Sequence, residues 1–379
     1  MKSKSPLQKK RPVFFIIPCL MSGGAERVLI SLANHSAEQK IETVLIALND
    51  GPPVYPINED VKVIYLAKRK KNLYTHRMYF MLLIFYRLLC LLLKYRPLCV
   101  VSFITSANMW TGITCSITRT PFIVSERTSP NRTINQFNYI NKQLAAFIYK
   151  KSIAVVVSAQ AVEDCLRGNK AFKTLANIKR ITNAVPAFEP VSLAKVHNRK
   201  FILGVGRLAY VKGFDQLIMA FSETQMDDVD LLIAGDGEEM ANLICMANNL
   251  GLKDRVIFVG PRTNLQDYYS QAMMFVLPSR NEGYPNALVE AMSFGCPCVA
   301  INCEFGPSEI IINEQNGLLV NNADISALSD AIVRLAHDPV LSNTLGNNAK
   351  NINQTNSSQK ILKQWDNLIL KPYAPLAFN

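Results

Sequence analysis

Two carboxylates eight positions apart frame one segment, Glu282-Gly283-Tyr284-Pro285-Asn286-Ala287-Leu288-Val289-Glu290. It follows a β-forming run, Met274–Leu277, and the dipeptide Pro278-Ser279. Pro285 suits a first helical turn, because its missing N–H would have no partner there. The N–H groups of Asn286, Ala287 and Leu288 would then point out of the helix end as a cradle for phosphate. Glu282 precedes this helix and Glu290 sits on it. The pair can hold opposite ends of an extended ligand, one at a sugar and one at a ribose. The same two residues can also be plain surface acids flanking a helix start.

A second group of residues points to the same chemistry. Leu203-Gly204-Val205-Gly206-Arg207 closes a predicted strand, and Lys212-Gly213 opens a predicted helix. Gly206 allows close backbone approach. Arg207 and Lys212 are two fixed cations that can neutralise a diphosphate and stabilise it as a leaving group. Alternatively they are one solvated basic face. Gly235-Asp236-Gly237 and Gly260-Pro261-Arg262 follow the next two predicted strands at the same sheet edge. In the first half, Gly23 and Gly24 follow the first predicted strand and precede Arg27. They let a substrate reach the N–H groups of a helix start, or they form an ordinary tight turn. Ser125-Glu126-Arg127 ends a later strand, and Asn183 is a further candidate.

Other chemistries find less support. Asp228-Val229-Asp230 has the form of a DxD metal motif but precedes its strand, where a solvated turn is the simpler reading. Cys296, Cys298 and Cys303 have no fourth ligand at suitable spacing, so they read as an apolar buried turn. No metal site and no cofactor are expected. Neither a GxSxG nucleophile elbow nor a P-loop is present.

The elements that must position these residues alternate between short Val/Ile-rich strands and helical stretches, which predicts α/β architecture with mostly parallel, doubly wound sheets. At 379 residues the chain has room for two or three domains, and 49% hydrophobic against 18% charged residues supplies their cores. The expected division is 1–185, a Pro-containing linker 186–199, a second domain 200–358, and a C-terminal helix 359–379 packing back on the first domain. Residues 1–185 carry 27 basic and 9 acidic residues, whereas 186–379 carry 14 and 20. Such asymmetry implies different partners for the two halves. The expected last strand of the first half is 180–183. Nine cysteines without regular spacing argue for a reducing compartment.

Within the basic half, the run Lys68, Arg69, Lys70, Lys71 precedes an apolar stretch from Met78 to Leu93 interrupted by Arg87. At about 20 apolar residues for a span, this stretch is short and carries a cation. It reads as a buried core helix or as a helix lying on an anionic membrane surface. No nucleic-acid motif accompanies the charge. At the amino terminus, Pro18 and the Gly23-Gly24 turn favour a strand–turn–helix unit over a cleaved signal.

The Glu282/Glu290 segment, the Gly-Arg…Lys-Gly element, Gly-Gly-Ala-Glu-Arg and Ser-Glu-Arg together resemble retaining glycosyltransferases of family 4. Among these they are similar to bacterial members that build lipid-linked oligosaccharides and O-antigens on polyprenyl diphosphate. The resemblance implies a GT-B fold, two doubly wound Rossmann-like domains facing each other across a cleft. It implies a nucleotide-diphosphate sugar donor, UDP-linked in preference to GDP-mannose, held at Gly206, Arg207, Lys212, Gly235, Arg262, Glu282, Gly283, Pro285, Asn286, Ala287, Leu288 and Glu290. Arg207 and Lys212 would grip the diphosphate, Glu290 the ribose and Glu282 the sugar. A lipid-linked saccharide acceptor would meet Gly23, Gly24, Arg27, Lys68, Arg69, Lys70 and Lys71, on a protein peripheral to the inner face of the cell membrane. Many family members carry a cleft histidine after a first-domain strand. None of His35, His76, His197 and His337 takes that place here, and Glu126 is the expected catalytic substitute. A nucleotide-sugar epimerase on the same fold, a dinucleotide-dependent oxidoreductase and an inert membrane-bound binding protein are the rival readings.

Overall fold

The computed structural model describes residues 11–370 apart from 22, 69–73 and 323, with the side chains of 74–77 also left aside. The described residues fall into two compact units. One contains those up to Ser158, Val162–Ile181 and those from Leu362; the other contains Ala159–Ala161 and Thr182–Ile361.

In the first unit, β1 (Val13–Ile17), β2 (Thr43–Asn49), β3 (Val61–Ala67), β4 (Cys99–Phe103), β5 (Phe122–Glu126), β6 (Ala154–Val157) and β7 (Ile178–Arg180) form a sheet of order β3-β2-β1-β4-β5-β6-β7. Every pairing is parallel. Such strands are covered on both faces and therefore read as unbroken apolar runs; every residue of Val13–Ile17 is buried. The helices are α1 (Gly24–Glu38), α2 (Tyr74–Tyr95), α3 (Thr105–Thr118), α4 (Tyr139–Lys151) and α5 (Gln160–Gly168).

The second unit repeats the plan with β8 (Lys200–Val205), β9 (Val229–Ala234), β10 (Val256–Gly260), β11 (Met274–Leu277), β12 (Cys298–Asn302) and β13 (Leu318–Asn321), in order β10-β9-β8-β11-β12-β13 and all parallel. Its helices are α6 (Phe214–Glu223), α7 (Met240–Asn249), α8 (Leu265–Gln271), α9 (Asn286–Ser293), α10 (Pro307–Ile310), α11 (Ile325–His337), α12 (Pro339–Ala349) and α13 (Ile352–Thr355). Leu217, Ile233, Val276, Val299 and Ile332 belong to one core cluster, so α6 and α11 share a core with the sheet. The chain thus contains two parallel-sheet α/β domains of Rossmann type.

Two boundaries differ from expectation. The last strand of the first sheet ends at Arg180, and Asn183 belongs to the second unit. Residues 181–199 carry neither helix nor strand. They are tied to the second unit where Ser192 N–H donates to Asp267 (2.7 Å), Val196 N–H donates to Gln271 (3.0 Å) and His197 meets Asp230 (2.7 Å). The last described helix, α14 (Ser358–Ile369), begins in the second unit and finishes in the first. There Trp365 is fully buried, with its ring 5.6 Å from that of Phe103, and Asp366 meets His35 at 3.0 Å.

Helix α2 is no core helix. It is long and apolar enough to cross a bilayer by length and composition, yet only 17% of Met78–Tyr95 is buried within the protein. Ile84, Leu88 and Leu92, spaced four apart, are its buried stripe, and Arg87 donates to the carbonyl of Leu66. Leu82 and Tyr86 are exposed.

Candidate active site

In an open parallel sheet, ligands bind beyond the carboxyl ends of the strands, where the strand order reverses. In the second unit that point is the β8/β11 boundary, since β8 leads on to β9 on one side and β11 to β12 on the other. The loops leaving these two strands carry the two groups of residues singled out above. They are bonded to each other: Lys212 Nζ lies 2.6 Å from Glu282 Oε1, which also accepts from Ser279 Oγ at 2.7 Å. Glu282 is 7% exposed and Lys212 27%. A carboxylate so enclosed is stabilised by a partner cation and a hydroxyl, and would be costly without them. Arg207 is exposed on the same loop as Lys212.

Tight backbone contacts hold these loops. Gly213 adopts φ +66°, and a Cβ there would lie 2.0 Å from the Pro278 carbonyl oxygen. Gly235, at φ +145°, passes so close to Gly206 that a Cβ would lie 1.8 Å from its carbonyl oxygen. Leu208 N–H donates to Asp236 O (2.9 Å), and Gly235 N–H donates to Gly260 O (3.0 Å). The loops after β8, β9 and β11 are therefore one assembly. Arg262 is not part of its centre. It is exposed and follows β10, the edge strand, two positions away from β8.

Sequence reasoning missed Arg280. Its guanidinium makes a two-pronged pair with Asp215 (2.6 Å for each bond), donates to the Tyr210 carbonyl (2.9 Å) and lies 4.2 Å from the Tyr210 ring centre. The Asp215 carboxylate raises the guanidinium above its ordinary value.

Helix α9 begins at Asn286, with Pro285 as the preceding cap residue rather than inside the first turn. The N–H groups of Asn286, Ala287 and Leu288 remain the first of that helix. Asn183 donates to Asn286 Oδ1 at 2.6 Å, which accounts for Asn183 within the second unit. Gly283 and Tyr284 are buried; Tyr284 is bonded to Asn356 (2.6 Å), and burial pushes its hydroxyl up to about 12. Glu290 is buried and accepts from Tyr269 at 3.1 Å. The two glutamates thus have separate partners.

In the first unit, the strand order reverses between β1 and β4. Gly23 and Gly24 follow β1 at the start of α1, but the Glu26 side chain folds over Gly23, so near that a Cβ on Gly23 would lie 2.1 Å from Glu26 Oε2. The carboxylate is thus close against Gly23, where an acceptor was expected. Arg27 lies 5.8 Å from the Tyr55 ring centre. Lys68 is exposed, and Arg69, Lys70 and Lys71 lie outside the described residues.

The expectation for Glu126 needs correction. Its carboxylate is fully buried and accepts from Thr105 (2.8 Å), Asn108 (3.0 Å) and Tyr149. Burial raises it above the ordinary carboxylate range despite these bonds. A carboxylate closed off by α3 and α4 does not touch a substrate, so Glu126 serves as a structural group. Asp230 is likewise no solvated residue. It lies buried in β9, meeting His197 (2.7 Å) and Arg199 (3.4 Å). Cys296, Cys298 and Cys303 are buried, and burial raises each thiol, that of Cys303 to about 12. Among the described residues no group of three or more His, Cys, Asp or Glu is placed to hold a metal ion.

Residues 187–352 match the family described as "Glycosyl transferases group 1". An uncharacterized glycosyltransferase of Haemophilus influenzae is 30% identical over 95% of this chain and 100% of its own length. A Campylobacter jejuni enzyme is 25% identical over 94% of this chain and 98% of its own; it is described as GalNAc-alpha-(1->4)-GalNAc-alpha-(1->3)-diNAcBac-PP-undecaprenol alpha-1,4-N-acetyl-D-galactosaminyltransferase. Among solved structures, sucrose-phosphate synthase of Thermosynechococcus elongatus superposes with TM-score 0.80 at 21% identity, over 96% of this chain and 99% of that one. Anabaena HepE in complex with UDP gives 0.75 at 20% identity, over 93% and 98%.

Proposed function

Because the chain belongs to the group 1 glycosyl transferases and has their GT-B fold, we propose that it transfers a hexose or N-acetylhexosamine, with retention, from a nucleotide-diphosphate sugar to a lipid-linked saccharide during bacterial surface polysaccharide assembly. The observation that carries this reading is the meeting of Lys212 and Glu282 at the β8/β11 crossover, with exposed Arg207 alongside. The diphosphate would replace Glu282 as the counter-ion of Lys212, drawing also on Arg207 and the first N–H groups of α9. Glu282, released, accepts from sugar hydroxyls. Charge developing on the leaving diphosphate is stabilised by groups already in place, which is the largest source of acceleration in such sites. The acceptor hydroxyl attacks from the face that the diphosphate leaves, so no protein nucleophile is required, and no metal takes part.

The lipid-linked acceptor is supported by the Campylobacter relative's name, and a UDP-sugar by the HepE complex, a likeness of fold alone. The first unit fits a protein held in the cytoplasm against the inner face of the membrane. From Val61 to Val162 the sequence has one acid, Glu126, and it is buried. Over the same stretch Leu82 and Tyr86 on α2, and Ile140 and Phe147 on α4, are exposed, with Lys94, Arg96, Lys150 and Lys151 exposed nearby in sequence. Apolar side chains enter the headgroup region while each lysine or arginine adds about 1 kcal/mol at an anionic surface.

The test is a panel of UDP- and GDP-sugars scored by melting shift, followed by transfer to a polyprenyl-diphosphate saccharide and assignment of the new anomeric centre. One donor should bind and give an axial-for-axial product. An inverted product overturns retention; a GDP-mannose preference overturns the UDP assignment. Isomerised donor without acceptor shows an epimerase instead. Sedimentation with phosphatidylglycerol vesicles but not phosphatidylcholine vesicles, reduced in Leu82→Ser/Tyr86→Ser, is expected of the membrane face.

A further inference from the structure

Lys212 is a long side chain on a loop, and a single ammonium on a flexible stem does not by itself define a position. The structure supplies a brace around it. Lys212 ends a short 3-10 turn, Tyr210–Lys212, and α6 starts two residues later with Asp215 in its first turn. Arg280 reaches this segment at three points. Its backbone N–H donates to Val211 O (2.9 Å), its guanidinium donates to Tyr210 O (2.9 Å), and both its terminal nitrogens meet Asp215 (2.6 Å each). Two of these points precede Lys212 and one follows it. Two residues beyond Arg280, on the same loop, is Glu282, the partner of Lys212. The Tyr210 ring covers the guanidinium face.

We propose that Arg280 is a positioning residue for the transfer reaction: through Asp215 and Tyr210 it sets the distance between the loop bearing Lys212 and the loop bearing Glu282. It acts through Lys212 and does not itself touch the donor. The fork geometry is needed because only a planar guanidinium can take both carboxylate oxygens, a carbonyl and an aromatic face at once. A shift of about 1 Å in a positioned group can cost on the order of 100-fold in rate, so the brace should be visible in kinetics.

This inference rests on the donor reading above. The experiment measures melting temperature, UDP or GDP affinity by calorimetry, and kcat and KM for donor and acceptor. The proteins are wild type, Arg280→Lys, Asp215→Asn, their double variant, and Arg280→Lys in a Lys212→Ala background. Each single variant is expected to lose about 10- to 100-fold in donor kcat/KM, with acceptor KM unchanged. The double variant should fall no further than the worse single, because both remove one link. Arg280→Lys should cost nothing more once Lys212 is gone. Losses that multiply in the double variant, or a further fall in the Lys212→Ala background, overturn the proposal and make Arg280 a direct donor contact. Lowered melting with donor kcat/KM near wild type overturns it as well, leaving a purely structural brace. If Arg280→Lys does not fold, Asp215→Asn and the Lys212→Ala comparison made with it carry the same test. A wild-type protein that neither binds nucleotide nor transfers sugar overturns both readings, whereas a binding wild type with indifferent Arg280 and Asp215 variants overturns this one alone.

Discussion

Lys212→Met removes a charge while keeping most of the aliphatic stem, and it separates stability from turnover. In the protein as it stands, Glu282 is 7% exposed and is bonded to the Lys212 ammonium and the Ser279 hydroxyl. Leaving a fully buried carboxylate unpaired costs about 3–5 kcal/mol. Lys212 is 27% exposed, so water reaches the pair and the cost falls to roughly 1–3 kcal/mol. For a unit of this size each kcal/mol moves the melting midpoint by about 2–4 °C. Turnover should fall by about 10²–10³, the usual loss when one fixed group at a developing anion is removed. The double variant Lys212→Met/Glu282→Gln distinguishes the two effects. Neutralising the orphaned acid should restore most of the melting temperature and none of the turnover. Calorimetric melting and radiolabelled sugar transfer, run on the same preparations, are the assays. A double variant no more stable than Lys212→Met, or a single variant with wild-type turnover, would refute the reasoning.

Three further outcomes are expected. Glu126 has a raised native value, so its contribution to stability is complete below the ordinary carboxylate range and is lost as pH rises through the native value; Glu126→Gln should therefore flatten the fall in melting temperature as pH rises above the ordinary carboxylate range, and leave donor KM unchanged. Gly213→Ala places a Cβ 2.0 Å from the Pro278 carbonyl oxygen at φ +66°; it should destabilise the second unit by more than ~1 kcal/mol in denaturant titration. Turnover of dialysed protein should be the same with and without EDTA, and restoration by added Mg2+ or Mn2+ would contradict metal-free transfer.

The sequence revealed the alternation of strands and helices because parallel strands covered on both faces are unbroken apolar runs. The pairing of Lys212 with Glu282 was legible only as two separate ligand-compatible turns; the strand order that brings them together is a long-range property. Glu126 looked like a site residue because a glutamate at a strand end has the same local signature whether open or enclosed. What encloses it, Asn108 and Tyr149, arrives from α3 and α4. Arg280 carried no signal of its own because Asp215 lies 65 positions earlier in the chain. Helix α2 was ambiguous for a related reason: its composition satisfies a core and a lipid surface equally, and only the neighbours that the fold gives it decide.

The return of α14 to the first unit constrains how this protein can be taken apart. A fragment ending at Ile181 would lack Trp365, leaving Phe103 and Arg127 without the indole that covers them, and His35 without Asp366. A workable half-molecule has to carry residues 362–370 as a graft, joined by a short linker or added in trans as a peptide. The same dependence turns that helix into a reporter: tryptophan fluorescence from Trp365 follows the first unit, although its codon lies beyond the whole of the second.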